Sequence, residues 1–298
     1  MEYRPHISVF GEMLWDLLPA GKQPGGAPMN VAVHLHNLGV ATSLISKVGQ
    51  DDLGNSLLTF LQERKLPTDW IQIDPTHATG TVNVNMDDAQ EVQYEIVATV
   101  AWDFITLEDA LVERVKASDA FVYETLAARE ATSRDTLISL LKVSTFNVLD
   151  VNLRPPFYNR SLLTQLFQYA HLLKINHHEL AELTDWLGVF KDDQERAHAL
   201  IHKYEIEGII VTRGANGSIF IPSEGEPTEH PGYTVSVEDT IGAGDSFLAA
   251  FLSQWVQKAP VKTCLDFACA LGAMVASSKG ANPYISTADV QAFIADHK

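Results

Sequence analysis

The sequence predicts an α/β fold, a mostly parallel central sheet with helices on both faces. Three observations predict it. Along most of the 298 residues, apolar runs of strand length alternate with stretches of helical period. Two of the helices open on glycine turns, Gly25-Gly26 and Gly242-Ala243-Gly244, where bare backbone can meet a ligand. Over 80–97 the period switches to two, so a small half-buried sheet stands off the main one. The length allows one large α/β domain or two small ones.

Residues 7–10 read as a first buried strand ending at Gly11, followed by Glu12, Asp16 and the turn Pro19-Ala20-Gly21-Lys22. Gly25-Gly26 then opens a helix with Pro28 in its first turn, a stripe of Ala32, Leu35 and Leu38, and Gly39 as its stop. A strand at 44–48 leads through the loop 49–52 to a helix at 53–64. In the hairpin, Val82, Val84 and Met86 alternate toward the turn Asp87-Asp88-Ala89-Gln90, and Val92, Tyr94 and Ile96 return. Its apolar face must cover a ligand cleft, a partner subunit or both, unless it is an edge hairpin of the main sheet. Beyond Trp102 the expected helices are 107–115, 133–142, 162–166, 179–187, 194–203, 248–257, 264–277 and 287–296. The expected strands are 120–123, 147–151, 172–175, 208–212 and 218–221, with a strand end at 234–237. Ligands of such a sheet bind beyond the carboxyl ends of its strands.

Acidic residues outnumber basic ones, 38 to 21, for a net charge of −17. This argues against nucleic acid as a partner, because phosphate backbones need a basic face. It leaves room for a nucleotide as a small ligand. Cys264 and Cys269 lie close together in an expected helix and suggest no disulfide framework. With no signal-like start and no long apolar span, a soluble cytoplasmic protein without a membrane partner is expected.

The candidate chemistry centres on Gly242-Ala243-Gly244-Asp245. Free N–H groups at the start of that helix form an anion site at the positive end of its dipole. Asp245 at its lip can accept a proton from a hydroxyl. A hydroxyl, a base and an anion hole are the minimum kit for phosphoryl transfer; the plainer reading is a turn with an acidic first helical residue. Asp150, Asn152 and Arg154 alternate onto one face of a strand end, either as a ligand site or as an internal Asp150–Arg154 ion pair. Asn176 and Glu179 have the spacing of a capping box, or they face phosphates and a metal. Gly214 and Gly217 belong to a good hairpin turn, or let a nucleotide approach the backbone beside Thr212. Asp16 and Asn30 flank Gly25 and Gly26 and suit hydroxyl recognition, though each is also an ordinary capping residue. No P-loop, protein-kinase or dinucleotide motif is present.

Taken in order, these pieces resemble the ribokinase/PfkB family of sugar kinases, and within it the fructokinases. The resemblance rests on Gly11-Glu12-Met13-Leu14-Trp15-Asp16, Gly25 to Ala32, Val48 to Gly54, Asp150 to Pro155, the Asn176–Glu179 pair and, most specifically, Asp239 to Asp245. It implies a single ribokinase-like domain over 1–298, with a lid formed by about 12–24 and 79–103. It implies ATP and Mg²⁺ as cofactors and transfer of a phosphoryl group to a sugar hydroxyl. Fructose is the expected acceptor, as in fructokinase (EC 2.7.1.4); 2-keto-3-deoxygluconate, ribose or a nucleoside is the alternative. Asp245 would be the base and Gly242, Ala243 and Gly244 the anion hole. Asp16, Gly25, Gly26, Asn30, Tyr94 and Arg154 would hold the sugar, with Arg154 also reaching the phosphates. Asn176, Thr212, Gly214 and Gly217 would hold ATP, and Glu179 would hold Mg²⁺ through water. Asp239, Ile241, Val275, Ser278 and Gly280 would surround a monovalent cation such as K⁺. A homodimer through the lid is a further implication. Ala268-Cys269 stands where relatives often carry Asn or His near adenine, and Tyr123-Glu124-Thr125 replaces a run of small residues. The reading from a different class is a non-catalytic sugar- or nucleotide-binding regulator, against which the intact Asp245 argues.

Overall fold

The computed structural model describes residues 4–18, 21–86 and 92–297, the side chains of 84–86 and 92–94 aside. The expected turn at 87–90 and the side chain of Tyr94 lie outside the described residues. In chain order the elements are β1 (His6–Phe10), β2 (Leu14–Leu18), β3 (Gly21–Gly25), α1 (Ala27–Asn37), β4 (Ala41–Gly49), α2 (Asp52–Glu63), β5 (Ile71–Asp74), β6 (Gly80–Met86) and β7 (Val92–Ile96). There follow α3 (Asp109–Lys116), β8 (Ala120–Glu124), α4 (Ala131–Leu141), β9 (Asn147–Asp150), α5 (Arg160–Phe167), β10 (Leu172–Asn176), α6 (His177–Thr184) and α7 (Asp193–Tyr204). The chain closes with β11 (Gly208–Thr212), β12 (Ser218–Pro222), β13 (Thr228–His230), α8 (Ala243–Trp255), α9 (Val261–Ala276) and α10 (Thr287–Asp296).

The main sheet has nine strands in the order β13-β12-β11-β10-β9-β8-β1-β4-β5. From β11 to β5 it is parallel; β12 and β13 add antiparallel at one edge. Period two along each parallel strand splits the core into two layers. Val122, Val148, Leu172 and Ile210 pack with α1, α8, α9 and α10 on one face. Phe121, Leu149, Leu173 and Ile209 pack with α3 to α7 on the other. The α/β fold with both faces covered is therefore present as expected.

The small sheet has four strands, β3-β2-β6-β7. The period-two stretch supplies β6 and β7, an antiparallel pair. It is not an edge of the main sheet, because β6 pairs parallel with β2 instead. β2 and β3 were not legible as strands, for they hold Pro24, two glycines and polar residues. A buried clasp ties β7 to the main body. Arg129 donates from Nε and Nη2 to the two oxygens of Asp103, at 2.6 and 2.7 Å, and from Nη2 to the carbonyl of Val97. Its guanidinium lies 3.9 Å over the Trp102 ring.

Three local expectations are corrected. Residues 234–237 form no strand; the chain runs there as a loop into α8. β9 stops at Asp150, so Asp150, Asn152 and Arg154 do not share a strand face. Asn152 takes a positive φ of 36° and donates to Glu124 Oε2 instead. Asp150 pairs not with Arg154 but with Lys174, at 2.8 Å, because Lys174 stands directly opposite it on β10. β5 and β13 were also missed, being short strands at the two sheet edges.

Candidate active site

The site is assembled where the carboxyl ends of the parallel strands meet the start of α8. Gly242 caps that helix with φ at +75°, a backbone state that other residues adopt at a cost. A Cβ there would lie 2.6 Å from Ala281. The turn can therefore close only on glycine. Behind it, the N–H groups of Gly244 and Asp245 have no carbonyl one turn back within the helix and point out of its positive end.

Asp245 follows in the first turn, half-buried. Its Oδ2 accepts a 2.8 Å bond from Nδ2 of Asn30, whose own Oδ1 accepts from Asn282 at 2.7 Å. This chain fixes one oxygen of the carboxylate. Asn30 arrives because Gly26 and Pro28 start α1 beside the end of β1. Asp16 on β2 sits against Gly25, where a Cβ would overlap its carboxylate. Burial pushes the Asp16 carboxyl up to about 6, although the nearby Arg154 pulls the other way. Glu12, fully buried, is pushed further, to about 7; burial is again the cause, opposed by a backbone hydrogen bond and by the charges of Arg154 and Arg129.

On the far side of Gly244 opens a cleft of about 360 Å³, walled by Thr212, Gly214, Val235, Phe247, Cys269 and Gly272. Gly217 lines it too, yet its missing Cβ makes room for the backbone of His230 and Gly232 rather than for a ligand. At Gly214 the same position is open. Among the described cleft walls, Cys269 meets Ser218 at 3.3 Å, and no Asn or His takes its place.

Asn176 and Glu179 do form a capping box on α6. Asn176 Oδ1 accepts from the N–H groups of His178 and Glu179, and Glu179 Oε2 accepts from that of Asn176. Glu179 Oε1 accepts from Leu153 N–H, which draws the Arg154 segment toward α6. The second lone pair of each oxygen suits a hydrated divalent cation, so the residue fits the metal expected of it. The Asp239 group also comes together. Asp239 accepts from Ile241 and Gly280 N–H, and Ser278 N–H donates to the carbonyl of Val275.

Sequence reasoning missed Lys174, Asn282 and the burial of Glu12. A lysine inside the apolar run Leu172-Leu173-Lys174-Ile175 was the available signal, since a buried lysine needs a partner. Asn282 carried none, lying in a loop with no pattern.

A hydrogen-bonded carboxylate, the glycine-capped start of a helix and a cleft of about 360 Å³ meet at Gly244, an arrangement suited to a kinase. The chain belongs to the pfkB family of carbohydrate kinases, whose profile matches residues 19–288. Among curated relatives, probable fructokinase-6, chloroplastic, of Arabidopsis thaliana is 28% identical over 312 residues, covering 95% of this chain and 80% of that one. The fructokinase of Xylella fastidiosa, solved with bound ATP, gives a TM-score of 0.86 at 23% identity, covering 99% of each chain. A fructokinase double mutant from Vibrio cholerae, solved with fructose, ADP and potassium ion, gives 0.84 at 22%, again over 99% of each. The fold is thus the ribokinase-like one of sugar kinases.

Proposed function

We propose that this kinase uses ATP to phosphorylate D-fructose, giving fructose 6-phosphate. The observation that carries the chemistry is the Asn282–Asn30–Asp245 chain, which fixes one carboxylate in the first turn of the glycine-capped helix α8. The fructose assignment draws its support from the fructokinase relatives. Asp16 and Asn30, with the bare backbone of Gly25 and Gly26 and the side chain of Arg154, hold the sugar hydroxyls. Asp245 takes the proton from the accepting hydroxyl at Oδ1. The N–H groups of the Gly242-Ala243-Gly244 turn receive the charge that develops on the transferring group. Bound Mg·ATP supplies the electrophilic phosphoryl group. Thr212, Gly214, Gly217 and Asn176 seat the nucleotide, Glu179 the hydrated Mg²⁺, and the loop of Asp239, Ile241, Val275, Ser278 and Gly280 a potassium ion. The four-stranded sheet closes over the acceptor as a lid and excludes water; it also offers a second copy of the chain a face for pairing.

The test is ADP release from Mg·ATP with fructose, 2-keto-3-deoxygluconate, ribose, tagatose and adenosine. Turnover with fructose that falls about 10²–10⁴-fold in Asp245→Asn, with ATP still bound, is the expected result. Turnover with another acceptor alone overturns the fructose assignment. ATP binding without turnover on any acceptor points to a regulator that kept the fold.

A further inference from the structure

Three ionisable side chains stand side by side near the Gly242–Gly244 turn. Glu124, Asp150 and Lys174 occupy opposed positions on the adjacent strands β8, β9 and β10. Period two turns all three to the face covered by α8, as it does Val122, Val148 and Leu172. All three are buried, at 1%, 0% and 8% exposure. Ligand atoms of Glu124, Asp150 and Asp245 lie within 4.8 Å of one another, so three carboxylates crowd the place where a phosphoryl group must arrive. Glu124 Oε1 has no hydrogen-bond partner among the described residues, and burial pushes this carboxyl well above the usual carboxylate range.

Lys174 is the cation set against this row. Its Nζ donates to both oxygens of Asp150, at 3.0 and 2.8 Å. It also lies 3.1 Å from the point a Cβ on Gly244 would occupy, directly behind the anion-hole turn. We propose that Lys174 is a positioning residue of the phosphoryl-transfer site, a fixed positive charge that backs the Gly242–Gly244 turn and offsets the carboxylates around it. Burial alone would favour a neutral amine, but the charges of Asp150, Asp245 and Glu179 outweigh it and hold the ammonium charged. The other groups facing Asp245 are Asn30, Glu12, Glu124, Asp150 and His34, none of them a fixed cation.

This inference rests on the kinase reading, so its test has one arm in turnover and one in binding. The variants are Lys174→Met and, to keep the interior intact, Lys174→Met with Asp150→Leu, which exchanges the ion pair for two apolar side chains. In turnover, both variants should lose about 10²–10³-fold in kcat, the scale of losing one anion-hole donor. In calorimetry, both should lose affinity for ATP at least tenfold and for ADP much less, because the lost charge backs the turn proposed to receive the transferring phosphoryl group. The inference is overturned if the double variant is as thermally stable as wild type and recovers wild-type kcat, since Lys174 would then only balance Asp150. A wild type without turnover on any acceptor refutes the kinase reading alone, and the ATP-against-ADP comparison still decides. Equal losses for the two nucleotides, or no loss, overturn the inference.

Discussion

At the scale of the residue, titration links position to behaviour. Asp16 ionises only as pH rises through about 6, because burial disfavours its charge more than Arg154 favours it. As a carboxylate it accepts hydrogen bonds from sugar hydroxyls; protonated, it loses half that capacity. Acceptor kcat/KM should therefore fall as pH drops below 6, by about tenfold at pH 5. Asp16→Asn should be weaker throughout and flat over that range, and a wild-type profile without a limb near 6 refutes the role. Glu12 makes a stability statement instead. Its folded pKa, about 7, is raised above the free value of 4.5. The contribution is thus full below pH 4.5 and is lost as pH rises through 7. Glu12→Gln never ionises, so it should be more stable than wild type at pH 8 by about 3 kcal/mol, with the gap closing at pH 5. Urea titrations at the two pH values measure this. Neither shift could be read from the chain, since an acidic letter does not report its burial.

At the scale of the element, the start of α8 is where local sequence was most informative. Gly-Ala-Gly-Asp before an apolar helical run encodes a glycine-capped helix with an acidic first turn, and α8 begins at Ala243 accordingly. Gly242→Ala should cost about 2–3 kcal/mol, from the left-handed backbone and the overlap with Ala281. It should also depress kcat far more than the KM for the acceptor, as steady-state kinetics would show; an unchanged kcat would mean the turn does not form the anion hole. The Asn176–Glu179 spacing encoded its capping box equally well. The strands of the small sheet were half legible. β6 and β7 alternate cleanly, whereas β2 and β3 become strands only because β6 lies alongside β2 to pair with it.

At the scale of the whole molecule, function needs two sheets held in one relation. The Arg129–Asp103 pair, 3% and 0% exposed, closes the segment that returns from β7 to the main body. Arg129→Ala would leave Asp103 buried and unpaired, with an expected loss of about 3–5 kcal/mol in chemical denaturation. If the clasp also sets the pose of the small sheet, acceptor KM should rise in the same variant at temperatures where it remains folded. A loss under 1 kcal/mol would show that the sheets are held by their apolar contacts alone. No helix among the described residues is long and apolar enough to cross a membrane.

The sequence by itself determined the layered α/β plan and the helix that carries Asp245, because both follow from short-range rules: periodicity, glycine turns and caps. It also marked Asp16, Asn30 and Asp245 as the polar residues of those turns. Only the tertiary structure decided which charges meet. Asp150 finds Lys174 rather than Arg154, Asn282 reaches Asn30 across 252 positions of chain, and Glu12 and Glu124 become buried. The physical reason is that strand register and helix docking bring together residues far apart in sequence. Electrostatic interactions depend on that distance and burial, neither of which is written in the local pattern.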